Sequence, residues 1–308
     1  MLVVLTGGTG GAKLIEGLSH EIDSAELTII CNTGDDFVLH GLNISPDLDT
    51  IMYTLAGMND SASGWGIRDD TFKVLAQLEK LGAEPWFKLG DKDIATHIMR
   101  THLLRAGLRL SDVTDRLRNN LGIKARILPM SNDEISTRIE TSEGEISFQE
   151  YFVKQRWQPE VKKVSYSRVK KSCAAPGVLE TIHDAAKIVI CPSNPVTSIG
   201  PILAIPGVRN ALTETKAHVV AVSPMIGESA ISGPADKLMA AQGMNPSAFG
   251  VAKGYAGFLD HFVIDREDEK LRDNIEALGI KVLTTSVIMK TIDDKRRLAR
   301  EVLALLQK

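Results

Sequence analysis

Cysteine is scarce in this chain: Cys31, Cys173 and Cys191 are the only three among 308 residues, and they lie far apart. No CxxC pair and no Cys/His spacing of a zinc site can be drawn from them, and a reducing, cytoplasmic setting fits. His97 and His102 are five residues apart, not the three or four that put two ligands on one helical face, so the seven histidines read as scattered surface or core residues. Long apolar runs are missing as well. The start, Met1-Leu2-Val3-Val4-Leu5-Thr6, has no basic residues before a run too short for a signal peptide, and nothing later approaches the roughly 20 residues that span a bilayer. No membrane partner is expected. Charge of one sign is also lacking: 36 Lys and Arg stand against 39 Asp and Glu, and a net charge of −3 leaves no footprint for a nucleic-acid backbone.

What is present is an ordinary globular composition, 44% hydrophobic and 24% charged, in a chain longer than the usual domain of about 100 to 200 residues. Short β-branched runs at 2–5, 27–31, 187–191, 218–222 and 281–283 each lead into a glycine- or proline-punctuated loop and then a helical pattern. Strands apolar throughout belong in a sheet covered on both faces, and right-handed crossovers make it doubly wound. The expected fold is α/β, Rossmann-like and doubly wound, with a mainly parallel sheet and ligands at the strands' carboxyl ends. The rhythm breaks in the middle. Two amphipathic helices over 93–120, the second opened by Ser111-Asp112, precede an alternating stretch with a hairpin turn at Thr141-Ser142-Glu143-Gly144 between strands 135–140 and 145–153. This predicts a core of 1–90 and 173–308 and an inserted smaller α+β subdomain over 91–172. A docking helix over 293–307 carries Leu298, Val302, Leu305 and Leu306 on one face.

The strongest local signal is Gly7-Gly8-Thr9-Gly10-Gly11-Ala12-Lys13 after the first strand. Glycines permit positive φ and close backbone approach, so amide N–H groups and a helix N-terminus can face a phosphate. It is no Walker A loop, because Ala12 precedes Lys13 and Leu14 follows it, nor is it a clean dinucleotide fingerprint. The second strand ends in Cys31-Asn32, where an NAD-binding fold normally places an acid, which argues against an NAD(P) oxidoreductase. Asn32-Thr33-Gly34-Asp35-Asp36 and Ser45-Pro46-Asp47-Leu48-Asp49-Thr50 expose carboxylates suited to Mg²⁺ beside a diphosphate, while Asp47 or Asp49 is alternatively the cap of a helix starting near Thr50. Pro192-Ser193-Asn194-Pro195 is a rigid polar loop fit for phosphate or guanine, and the loop 222–237 lines the same crevice. Gly64-Trp65-Gly66-Ile67-Arg68 and Trp86-Phe87-Lys88 pair rings with cations, as a wall for a flat heterocycle would.

Together with Trp86-Phe87-Lys88-Leu89-Gly90-Asp91 and Thr96-His97, these segments occur in an order that resembles the 2-phospho-L-lactate transferases of deazaflavin coenzyme biosynthesis, over nearly the whole chain. The resemblance implies a Mg²⁺-dependent transfer of a phospholactyl group from lactyl-2-diphospho-5′-guanosine to the ribityl hydroxyl of the deazaflavin Fo, giving F420-0 and GMP; some relatives use a phosphoenolpyruvyl donor. It further implies that Asp49 and Lys88 contact Fo and that the nucleotide lies near the first glycine loop and the Ser193-Asn194-Pro195 loop; the residues themselves suggest Trp86 as the ring's wall and Gly8, Thr9, Gly10, Gly11, Lys13, Asn32, Ser193 and Asn194 as the nucleotide's contacts. Asp49, Asp35 and Asp36 are the candidate catalytic acids, and Asp49 with Asp35 the candidate metal ligands. A homo-oligomer, a dimer, is expected. A related bacterial family with a similar glycine-rich start binds nucleotide sugars as a regulator without catalysis, which leaves a non-enzymatic alternative on the same scaffold.

Overall fold

The computed structural model describes residues 1–60 and 64–307. Seven strands form one sheet in the order Lys281–Thr284, His261–Ile264, His218–Val222, Lys187–Ile190, Leu2–Thr6, Leu27–Cys31, Arg126–Pro129. All six pairings are parallel. The chain starts in the middle of this sheet, runs outward through Leu27–Cys31 to Arg126–Pro129, then returns to build the other half from Lys187–Ile190 outward. The reversal lies between Leu2–Thr6 and Lys187–Ile190, and there the loops leaving adjacent strands diverge and open a crevice at their carboxyl ends.

Period-two alternation divides the apolar strands between two cores. Val3 and Leu5 pack on one face with Ile188 and Ile190, and Leu2 and Val4 on the other with Ile29 and Val189. Each such side chain, fully removed from water, stabilises the fold by roughly 1.5–3 kcal/mol, which is why these runs carry no polar side to read. On the second face the helices Gly8–Ser19 and Ile292–Leu305 lie together. They touch so closely at Gly17 that a Cβ there would overlap the Lys295 carbonyl. Thr291 and Asp294 close the later helix with reciprocal capping bonds, and Leu298, Val302 and Leu305 are buried as the pattern predicts.

The middle of the chain departs from its expected boundaries. Arg126–Pro129, inside the stretch 91–172, is an edge strand of the large sheet, and Leu103, Val113 and Leu117 from the two preceding helices pack in the same core as Ile29. What stands apart from the large sheet is a three-stranded antiparallel sheet, Gly144–Ser147, Ser136–Thr141, Val161–Ser167. Pro129 closes a four-residue edge strand, where a missing N–H costs little, and so short a run gives no periodic signal. His261–Ile264 was also absent from the expected strands, although it is buried throughout. The second hairpin strand stops at Ser147, and Glu150–Lys154 is a π-helical turn where a continued strand was expected. The helix expected to be capped at Ser111-Asp112 begins at Leu110 with Arg109 as its cap, so Ser111 lies in the first turn, where its N–H donates to Asn132 Oδ1 at 2.8 Å. Among the described residues no helix is long and apolar enough to cross a membrane.

Candidate active site

A cavity of about 850 Å³ opens over the carboxyl edge of the sheet. Its floor is the glycine run. Only Gly8 in that run needs positive φ, at 65°. Gly10 and Gly11 serve a different end: a Cβ on Gly10 would lie 2.5 Å from the Pro192 carbonyl, and one on Gly11 would overlap the Thr6 hydroxyl. The two loops are thus packed backbone against backbone. Ser193 locks them further, donating to the Gly7 carbonyl at 2.7 Å and accepting from the Gly7 N–H at 3.3 Å. Because the Pro192 carbonyl is backbone and cannot swing aside, Gly10→Ala is expected to destabilise by about 1–3 kcal/mol. Thermal unfolding of the variant reads this loss.

Gly8, Thr9, Gly10, Lys13, Ser193 and Asn194 line the cavity, whereas Gly11, Asn32 and Asp36 lie behind the wall. Asn32 is a hub inside the protein. Its amide nitrogen donates to Asp35, to Asp47 at 2.9 Å and to the Thr197 carbonyl, and its oxygen accepts from Gly34 N–H. The Asn194 side chain caps its own loop, accepting from Val196 and Thr197 N–H. Ser193 and Asn194 therefore shape the pocket, and their side-chain oxygens are engaged with the backbone.

Asp47 and Asp49 sit in the first turn of the helix Pro46–Leu55; neither is its cap, a position held by Ser45. Asp47 faces Asp35 across Asn32, while Asp36 accepts from Ser45 Oγ at 2.6 Å. Burial pushes Asp47 up to about 6 against hydrogen bonds from Asn32 and the Gly8 N–H. Burial, with the Asp47 charge adding, also raises Asp35, and burial raises Asp36. Asp35 Oδ1 is buried with no hydrogen-bond partner. A carboxyl whose folded pKa exceeds its unfolded value favours the folded state only while protonated, so ionised Asp47 costs stability. Asp47→Asn should stabilise the chain on the order of 1–3 kcal/mol above about pH 6 and lose that gain as pH falls toward about 4, checked by urea unfolding across pH.

The remaining wall comes from two helices. Pro46–Leu55 delivers Asp49 and Tyr53, one turn apart, and Asp91–Arg105 delivers Asp93, His97 and Arg100 at i, i+4 and i+7. The Arg100 guanidinium grips both Asp49 oxygens, with Nη1 donating to Oδ2 at 3.0 Å and Nη2 to Oδ1. Nη1 also lies 3.2 Å from His97 Nδ1; a guanidinium only donates, so that nitrogen accepts and the neutral ring carries its proton on Nε2. Nε2 is 3.2 Å from Asp93 Oδ1 but makes no hydrogen bond, and the same Asp93 oxygen accepts from Tyr53 OH at 2.7 Å. Burial, then the charges of Asp49 and Asp93, raises the Tyr53 phenol. Donor atoms of Asp49, Asp93 and His97 lie within 4.8 Å of one another, the one such group of three among the described residues. The structure thus groups Asp49 with Asp93 and His97, and Asp35 with Asp47, not Asp49 with Asp35.

His97 is 1% exposed and part of this cluster, which corrects the reading of the histidines as scattered. The 93–97–100 spacing was the available signal for it. Trp86 and Phe87 pack with Phe37, their ring centroids 4.9–5.8 Å apart, and line the cavity beside Lys88. Trp65 reaches the cavity, but Arg68 donates to the Gly57 carbonyl at 2.8 Å and belongs to its own loop.

Residues 2–299 match the family described as 2-phospho-L-lactate transferase CofD. The chain belongs to the CofD family. A 2-phospho-L-lactate transferase of Methanosarcina mazei is 43% identical to this CofD-family chain over 301 residues, covering 98% of it and 99% of the relative. A phosphoenolpyruvate transferase of Streptomyces griseus is 44% identical over 310 residues, covering 99% and 98%. A UPF0052-family protein from Bacillus halodurans shares the fold at 16% identity, with a TM-score of 0.65 and 98% of both chains covered.

Proposed function

We propose that this CofD-family transferase moves the 2-phospholactyl group of lactyl-2-diphospho-5′-guanosine onto the ribityl hydroxyl of Fo, releasing GMP and forming F420-0. The observation that carries this reading is the pairing, on one side of the glycine loop, of a planar-ring wall at Trp86 and Lys88 with the clamped carboxylate of Asp49. The hydroxyl oxygen attacks the lactyl-side phosphorus, the bond to the bridging oxygen breaks, and GMP departs with that electron pair. Such a transfer needs positioning and neutralised charge more than a covalent step. Asp49, fixed by Arg100, orients the hydroxyl and accepts its proton. Lys13 and Lys88 screen the diphosphate, the glycine-loop amides cradle it, and Asp36 steadies Ser45 at the start of the helix that bears Asp49.

Mg²⁺ fits Asp35 and Asp47: both are buried oxygen donors at the cavity wall, and Asp35 Oδ1 has no partner. When bound, the ion would neutralise diphosphate oxygens. The imidazole in the Asp49 group makes that group a poorer Mg²⁺ site. A reducing cytoplasm suits the three free cysteines. The similarity to a phosphoenolpyruvate transferase supports a second donor reading, with an enolpyruvyl group in place of lactyl. Incubation with Fo, Mg²⁺ and each guanylylated donor in turn, with GMP and product followed by chromatography, tests both. GMP release dependent on Fo is expected with one of the donors; its absence with both overturns the assignment.

A further inference from the structure

Residues 72–89 form a loop whose two ends meet. Asp91 N–H donates to the Thr71 carbonyl at 2.7 Å, and each end supplies an acid to the helix that begins at the other. Asp91 accepts from Lys73 N–H at 3.2 Å and Val74 N–H at 3.0 Å, at the start of the helix Lys73–Lys80. Asp70 accepts from Lys92 N–H at 2.8 Å and Asp93 N–H at 3.2 Å, at the start of Asp91–Arg105. Gly90 passes so close to Asp70 that a Cβ there would overlap its carboxylate. These bonds satisfy N–H groups that a helix start leaves open, so they fix the neck of the loop. Above the neck the attachment is slight. The helix Lys73–Lys80 buries none of its residues, Phe72 and Val74 are exposed, and Leu81 keeps 75% of its surface in water. The returning leg packs better: Phe87 and Leu89 join Phe37, Ile44 and Ile94 in a small core separate from the two that hold the large sheet. A segment with so few buried contacts opens at little cost.

The far end of this loop reaches across the cavity. Lys154 Nζ donates to Glu84 Oε2 at 2.5 Å, an ion pair between residues 70 apart in the chain whose side chains are both exposed. Lys154 ends the π-helical turn Glu150–Lys154; Phe152 of that turn lines the cavity and lies against the loop of Gly233, which a Cβ would bring within 3.3 Å of the ring. The Gly233 loop follows His218–Val222, whereas Phe37, the partner of Trp86 and Phe87, follows Leu27–Cys31. Leu2–Thr6, which leads into the glycine loop, lies between those strands in the sheet. The ion pair thus ties one side of the cavity to the other, on its solvent side.

We infer that the loop 72–89 is a hinged cover over the cavity and that the Glu84–Lys154 ion pair is its latch. The inference rests on the proposed transfer, in which the leg bearing Trp86 and Lys88 serves the deazaflavin. Opening admits the ring, and closure keeps water from competing with the hydroxyl for phosphorus. An exposed ion pair shifts an equilibrium by about fivefold at most, which suits a latch that must release in every turnover. A latch that closes the empty and the loaded cavity alike has a distinct signature: breaking it speeds entry and exit together and leaves affinity unchanged.

Amide exchange read by mass spectrometry and stopped-flow binding of Fo, both on the full chain, test this. Glu84→Lys and Lys154→Glu each place like charges together. Each is expected to speed exchange over 73–81 about two- to fivefold with exchange in Leu2–Thr6 unchanged, and the double variant Glu84→Lys/Lys154→Glu should return to the parent rate. In the single variants the association and dissociation rates of Fo should rise by the same factor, with Kd held within twofold. Unchanged exchange in both single variants, no recovery in the double variant, or a rise in the dissociation rate alone overturns the latch. A wild-type chain that binds no Fo overturns the acceptor reading, and the exchange rates by themselves then decide whether the ion pair holds the loop shut.

Discussion

If the proposed transfer holds, an Asp49→Asn chain should turn over Fo and the guanylylated donor about 10³-fold more slowly than the parent, because the amide neither accepts the hydroxyl proton nor carries charge. The carboxylate is 4% exposed and both of its oxygens are held by Arg100. The substitution leaves Arg100 facing a neutral group, so the variant should also melt earlier. Turnover must then be compared below both unfolding midpoints. The loss should fall on kcat, with Fo affinity reduced only modestly, since Trp86 and Lys88 remain. Turnover within tenfold of the parent would show that Asp49 neither orients the hydroxyl nor accepts its proton.

The largest stability effect is expected at its partner. Arg100 is 1% exposed and is among the largest fully buried side chains. Arg100→Met removes the guanidinium and leaves the nearly buried Asp49 carboxylate without its two-pronged partner, a loss of about 3–5 kcal/mol by urea unfolding. The pair is a poor source of net stability in itself, because desolvating two charges offsets most of their attraction. The double variant Asp49→Asn/Arg100→Met should therefore be more stable than Arg100→Met alone, and the cycle of four proteins yields the coupling. If the two single losses simply add, the pair is not coupled as the geometry requires. Together the two predictions separate what Asp49 does in the reaction from what it costs to hold an acid there.

Much of the scaffold could be read from the chain. Uninterrupted apolar runs such as Leu2–Thr6 and Leu27–Cys31 exist because both faces of the sheet are buried, and that leaves a mark in any linear reading. The tight glycine loop was equally legible, since close approach at Gly10 and Gly11 excludes every side chain. Arg126–Pro129 was not, because four residues ending in proline at an edge look like a loop until the neighbour is known.

The amino-acid order by itself determined the doubly wound scaffold, the glycine loop and the acid-rich segments, because these depend on local periodicity and on residue types that few other roles require. The tertiary structure decided how the acids divide. Asp35 joins Asp47 through Asn32, and Asp49 joins Arg100, His97 and Asp93, from a helix roughly fifty residues away in the chain. It also assembled the Phe148, Phe152 and Trp157 row from a turn whose alternation promised a strand. Contacts of that kind depend on which helix face meets which, a relation set by packing of the whole chain and carried by no single stretch of it.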